Sequence, residues 1–302
     1  MSLRARLLTA LSGDPEGAPP WVLRLAEGDD EGYFAEDGPA WTVHAGMGTL
    51  VAGIRALLVQ ALHPGPLAGV QDWSRYREDP LGRLAGTVRW VMCVTYGSRG
   101  QADSETRRIG RLHQHVQGTY TAGDGTERPY AASDPRMLEW VHLAFTDAFL
   151  TCHEKLVGAV PGGADAYVAD WATAGALMRV PSPPTTKAAL HARMDEFLER
   201  GDLVGGADVD EVVRFLRRPT FTGPMMSLGY RVLFAAAVAT IPRRYRSLLG
   251  LRRSPLPVIT LSRILLPIIG RALESGGPRA NDRARERLAR LRAERTDLNS
   301  SC

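Results

Sequence analysis

The sequence predicts an all-α fold, a single domain of many helices, from three observations. Apolar residues recur at three- and four-residue steps along most of the chain. No stretch sustains the two-residue alternation of a half-buried strand. Glycine and proline punctuate the chain at helix-length intervals. From Gly46 to His63 the positions Met47, Leu50, Val51, Ile54, Leu57, Leu58 and Ala61 make one such series, and Pro64 is expected to stop it. A second helix is expected from Leu81 to Tyr96, with Gly97 as a left-handed cap, and a third from Asp103 to Gln117, ending at Gly118.

The tract TAGDGTERPYAASDP then reads as a loop carrying a short hairpin around Asp124-Gly125. Ser133-Asp134-Pro135 supplies a capping side chain and a first-turn proline for a long helix to about Val157. Further helices are expected over Gly163–Arg179, Lys187–Arg200, Val209–Leu216 and Gly229–Thr240. The organisation expected is an N-terminal extension over 1–30, a main helical domain over 31–250, and a C-terminal segment over 251–302. The last twenty or so residues of that segment read as a solvated, charged helix or a frayed tail.

Composition excludes more than it assigns. At 44% apolar and 23% charged residues, the chain has the make-up of a globular protein with a sizeable core. Lys155 and Lys187 are the sole lysines, and the remaining basic residues are arginine. Acidic residues break up the arginines almost everywhere, so a nucleic-acid partner is not expected, even at the basic helix-like stretch Arg279–Arg295. Cys93, Cys152 and Cys302 form no closely spaced pair, which points to a reducing compartment. The N-terminus shows neither a long apolar core nor a small-residue cleavage site, so a cytoplasmic location is expected. VLFAAAVATIP and PVITLSRILLPIIG are too short to span a bilayer, which leaves a peripheral membrane contact through the C-terminal third open.

The chemistry rests on the histidines. On a helix over 103–117, Ile109, Leu112, His113 and Val116 share one face, and His115 falls about 100° or more away. The two imidazoles therefore diverge and make no metal clip. His113 is left either as a core histidine bonded to a buried carbonyl or carboxylate, or as an axial ligand of a haem iron. His142 shares an apolar face with Leu138, Val141, Phe145 and Phe149. Glu139-x-x-His142 has the spacing of half a di-iron site, whose second half is not found in the sequence. His63 is read as capping the last carbonyls of its helix. Arg83, Thr87, Trp90 and Val94 line one face of the second helix. If that face packs inward, Arg83 needs an anionic partner, either Glu78 or Asp79 or the carboxylate of a ligand.

Five tracts in order (ALLVQALHP, SRYREDPLGRLAGTVRWVMCVTYG, RIGRLHQHVQG, RPYAASDPRMLEWVHLAFTDAFL and IPRRYRSLLG) resemble an oxygenase family that includes the latex-clearing rubber oxygenases and the fungal MpaB oxygenase. The similarity runs from about Gly32 to Gly250. It implies a globin-like helical core holding haem b, with O2 used to cleave carbon–carbon double bonds of isoprenoid chains. In the family the helix carrying H-x-x-V-x-G supplies the haem ligand, here His113, and an R-x-x-x-T pair near the haem matches Arg83 and Thr87. Latex-clearing members carry a lysine directly before that threonine, where this chain has Gly86. That departure and the lack of an export signal argue against polyisoprene. The resulting expectation is a haem-b oxygenase acting with O2 on a small apolar or terpenoid substrate. His113 would hold the iron, Arg83 and Thr87 would act beside it, and Trp90, His142, Phe145 and Phe149 would wall the pocket, with His142 the second choice of ligand. A haem-binding sensor or carrier without an organic substrate is the alternative, and oligomeric state is left open.

Overall fold

The computed structural model describes residues 8–9, 13–14, 16, 18–73, 80–218, 224–274 and 279–300, without the side chains of 80–84, 224–226 and 272–274. At its centre, helix α3 (Thr49–Gln60) lies against α7 (Pro135–Leu156). Val51, Ala52, Ile54, Leu58 and Val59 of α3 are buried, and so are Trp140, Leu143, Ala144, Ala148 and Leu150 of α7. Between the two helices lies an ion pair. Arg55 Nη2 sits 2.6 Å from Asp147 Oδ2, and both side chains are almost fully enclosed. Helix α7 starts where its sequence says: Pro135 occupies the first turn, and the Asp134 carboxylate accepts from the backbone N–H of Arg136 at 2.8 Å.

Around this pair stand α8 (Ala164–Leu177), α9 (Lys187–Glu199), α10 (Ala207–Arg217) and α11 (Pro224–Thr240), all close to their expected spans. A short α2 (Pro39–Ala45) buries Trp41, Val43 and His44. Helices α12 (Arg243–Leu248) and α13 (Val258–Glu274) follow α11, and α13 packs on α11 and α7. The fold is all-α, with one two-stranded sheet among the described residues.

Helix α5 (Pro80–Tyr96) and α6 (Arg99–His113) form an antiparallel hairpin closed by Gly97 and Ser98. Gly97 is not in the left-handed conformation expected of it. It is needed because a side chain there would overlap the Cys93 carbonyl oxygen. Ser98 and Gln101 then make reciprocal side-chain to backbone bonds that start α6. Helix α6 stops at His113, four residues short of the expected end, because Gln117–Thr121 is strand β1, paired with β2 (Glu127–Ala131). Gly118 lies opposite Tyr130 in that hairpin, whose turn does fall at Asp124-Gly125, with Gly125 at φ +81°.

Pro64 does not end the first long helix, which already stops at Gln60. It opens α4 (Pro64–Trp73), where its missing N–H costs nothing. His63 therefore serves the start of a helix rather than the end of one: its Nδ1 accepts from the Gly65 N–H at 3.2 Å.

Of the charged C-terminus, 292–300 is the solvated helix expected, whereas the half before it is docked on the protein. Helix α14 (Ala280–Ser300) docks on α1 (Pro20–Leu23) and the 3-10 turn Arg24–Ala26. Ala284, Leu288 and Leu291 are buried, and with them Arg287, which donates to the carbonyls of Leu25 at 2.7 Å and Tyr96 at 2.9 Å.

Burial alone would raise the Asp147 carboxyl, but the charge of Arg55 and hydrogen bonds from His191 and Arg55 hold it down at about 2. A depressed carboxyl stabilises the fold fully above its ordinary value of 3.8, and that contribution disappears as pH falls through about 2. Asp147→Asn should destabilise by about 3–5 kcal/mol in urea titrations at neutral pH, because it strands the Arg55 charge in the core.

Candidate functional site

The α5–α6 hairpin sets the register of the candidate site. Arg89 pairs with Glu105 at 2.7 Å, and Trp90 Nε1 donates to Thr106 Oγ1 at 3.3 Å. Following the two antiparallel helices roughly 9 Å from that crossing brings the backbone of Arg83 level with the last turn of α6, which ends on His113. Arg83 and Thr87 thus lie on α5 and His113 ends the helix packed beside it, with Thr87 nearer the Arg89–Glu105 crossing than Arg83 is. The Arg83 side chain lies outside the described residues, as do Glu78 and Asp79, its expected protein partners.

This end of the hairpin is more open than the helical pattern predicted. Thr87 and Leu112 are exposed, Leu112 at 53%, whereas Val94, on the same face of α5 as Thr87, is fully buried. Along this face burial thus falls from Val94 to Thr87. Ile109 and His113 are half-buried, and Val116 lies beyond the helix end in the turn before β1. The expected inward face of Ile109, Leu112, His113 and Val116 is therefore a rim rather than a core stripe. His115 points to solvent, with Nδ1 2.8 Å from the Arg111 carbonyl.

Trp90 connects the rim to an aromatic cluster. Its ring meets Trp171 edge-on at 6.0 Å, and Trp171 stacks on Phe145 at 5.5 Å. Phe145 stacks on Phe149 at 3.9 Å, one turn along α7. His142 starts this row. Its ring is wedged beside Gly175, where an added Cβ would come within 2.8 Å of Cε1 and 3.0 Å of Nε2. Its Nε2 has no hydrogen-bond partner among the described residues, and burial lowers its pKa to about 4. Glu139 is held by Arg193 of α9 and so is committed to an ion pair. No group of three or more His, Cys, Asp or Glu converges into a metal site among the described residues.

One histidine missed in the sequence stands at the centre of the cluster. His44 of α2 is buried against Trp171, with ring centroids 4.2 Å apart, and faces Phe145, Phe149 and Tyr167. Thr95 spends its hydroxyl proton on the Val91 carbonyl at 2.7 Å, so its oxygen accepts from His44 Nδ1–H at 3.1 Å. His44 Nε2 is then the acceptor for the Tyr167 hydroxyl at 3.0 Å. Burial, with a smaller contribution from His153, lowers its pKa to about 3. Both nitrogens are occupied, so His44 braces the aromatic cluster and has no lone pair to offer a metal. Its segment is too short to show a helical period, and the one legible signal was Gly38-Pro39 as a helix start.

The fold is all-helical, and the family it matches makes its class an oxygenase, an oxidoreductase. Residues 41–269 match the family model described as ER-bound oxygenase mpaB/B'/Rubber oxygenase, catalytic domain, and the chain belongs to that family. Comparisons with curated proteins and with solved structures found no match.

Two expectations follow from the buried imidazoles. His44, His63 and His142 are all held well below 6.5, at about 3, 4 and 4, chiefly by burial. A depressed histidine stabilises the fold above its unfolded value and loses that contribution as pH falls toward the folded value. Stability should therefore drop between pH 6.5 and 4, by up to about 1.4 kcal/mol per pH unit for each ring, as urea titrations across that range would record. Gly175→Ala should cost about 1–3 kcal/mol, since the new methyl group must displace His142 or Pro183.

Proposed function

We propose that this oxygenase uses haem b and O2 to oxidise a small apolar substrate, with terpenoid or unsaturated chains as the preferred class. The observation that carries the reading is the hairpin end. There the last turn of α6, which ends on His113, runs beside the level of Arg83 on α5, with Thr87 about one turn further along α5, among half-buried and exposed apolar side chains. A flat apolar cofactor needs such a surface, because it must cover ring area on both faces and bring its carboxylates to a cation or to water. Haem bound there would supply the iron at which O2 is activated.

The chain's own residues would divide the remaining work. His113 would hold the iron through one imidazole nitrogen. Arg83 would pair a carboxylate of the cofactor at the same level of the hairpin, and Thr87 would offer a hydroxyl donor. Trp90, Phe145 and Phe149 would form the apolar wall that excludes water from the substrate, with Trp171 and the His44–Tyr167 bond holding that wall rigid. His142, with its unpartnered Nε2, is the second choice of ligand and otherwise lines the wall. Gly86, directly before Thr87, has open space where a Cβ would stand, so no side chain from that position crowds the iron.

The test is a visible spectrum and a pyridine haemochrome assay on protein expressed with a haem precursor. Wild type should carry one haem b per chain. His113→Ala should lose most of it, and His142→Ala should keep it. Loss in His142→Ala alone would move the ligand to α7. A wild-type protein with no Soret band would remove the haem reading and leave the family assignment standing. Faster decay of the ferrous–O2 form on adding candidate alkenes separates an oxygenase from a haem carrier.

A further inference from the structure

Helix α13 is apolar on the side that faces away from the protein. Its inner face, Val258, Ser262, Leu266 and Gly270, is buried against α11 and α7. Its outer face carries Leu261, Ile264, Pro267 and Ile268, and among the described residues no element covers them. Ile264 is 60% exposed and Ile268 55%, with Leu256 just before the helix at 63%. One third of the exposed large hydrophobic residues among those described lie within this short stretch, so they form a patch rather than a scatter. A groove of about 460 Å³ between α13 and the end of α7, lined by Met47, Leu156, Val157, Leu266 and Pro267, continues the apolar surface.

Arginine dominates the charge along this part of the chain, although Glu154 lines the groove, where it is paired with Lys187, and Glu274 ends α13. From Ile241 to Arg271 the chain holds seven arginines and no Asp or Glu. Arg244 is paired with Asp195 of α9. Arg243, Arg252, Arg253, Arg263 and Arg271 are exposed, and Arg246 sits close enough to Arg253 and Arg243 to be affected by their charges. The rest of the chain mixes both signs, so this segment is where the basic excess of the protein is concentrated.

We propose that α13 and the arginine-rich loop before it form a docking face for an anionic phospholipid surface, with the helix lying in the plane of the interface. Leu261, Ile264 and Ile268 would enter the headgroup and acyl boundary, and the arginines would meet lipid phosphates. No single helix among the described residues is long and apolar enough to cross a membrane, and α13 itself extends roughly 25 Å and carries Arg263 and Arg271, so it rests on the bilayer instead. Self-pairing through the same face would set its arginines against those of a second copy, an arrangement of like charges that an anionic surface avoids. The proposal is independent of any cofactor.

The test is flotation of the 302-residue chain with vesicles of phosphatidylcholine alone, and of phosphatidylcholine with phosphatidylglycerol. Binding should appear with the anionic vesicles and weaken as salt rises. The pair Ile264→Ser with Ile268→Ser should lower partitioning by at least about tenfold. Arg252→Gln and Arg253→Gln should each lower it by about fivefold. Leu298→Ser, at an equally exposed apolar residue on α14, should leave it unchanged. All these side chains are exposed, and thermal melts should match wild type. No binding to anionic vesicles, or binding that survives the isoleucine pair, overturns the proposal. A dimer seen by light scattering that the isoleucine pair abolishes, without vesicle binding, overturns it in favour of a second copy.

Discussion

The buried ion pair between Arg55 and Asp147 is the constraint around which the rest of the structure is arranged. Its two helices are otherwise held by aliphatic packing, which is non-directional and tolerates sliding. A charge pair 2.6 Å across, with almost no solvent access, allows one register only. Half a turn of slip would leave an unpaired charge in the core, at a cost of several kcal/mol. Once α7 is locked to α3 in this way, every side chain it presents is fixed too. His142, Phe145 and Phe149 project from the same helix as Asp147, so the aromatic wall inherits its placement from the ion pair.

The second constraint is local. His44, Tyr167 and Thr95 come from three different helices and satisfy one another through a chain of hydrogen bonds that ends on a backbone carbonyl. Surrounded by Trp171, Phe145 and Phe149, this chain leaves none of its polar atoms unpaired. The cluster is consequently both apolar in its lining and defined in its geometry, which suits a wall against which a cofactor or substrate must be held. The contrast with the hairpin end is physical. Within the His44 chain each donor has an acceptor, whereas at the hairpin end Leu112 and Thr87 are exposed.

Arginine does structural work here that its surface reputation conceals. Arg287 ties the C-terminal helix to the Leu25 and Tyr96 carbonyls, and Arg55 ties the central pair, yet neither stands out in a sequence where almost all basic residues are arginine. The expectation of a buried arginine with a mandatory partner was sound as physics and was attached to Arg83. The Arg83 side chain lies outside the described residues, and the buried arginines among those described are Arg55 and Arg287. A helical face read from spacing says which residues align but not how far along its length the helix stays buried. Helix α5 shows the point, with Val94 enclosed and Thr87 in solvent on one face.

What the sequence determined by itself was the helical class, most of the long helices and the tight hairpin at Asp124-Gly125. Apolar spacing, capping residues and turn chemistry act within a few residues of one another and need no distant partner to be legible. The ordered tracts that match the family were legible as well, and they placed His113, Arg83 and Thr87 on two adjacent helices. Only the tertiary structure decided the rest. It ended α6 at His113, because β1 claims the residues that follow, and it made Pro64 a helix start, because α3 stops short of it. It brought His44 into the aromatic cluster through contacts with residues more than a hundred positions away. It also drew the charged C-terminal helix onto the N-terminal segment, since its three apolar side chains and one arginine find their partners only when the two ends of the chain meet.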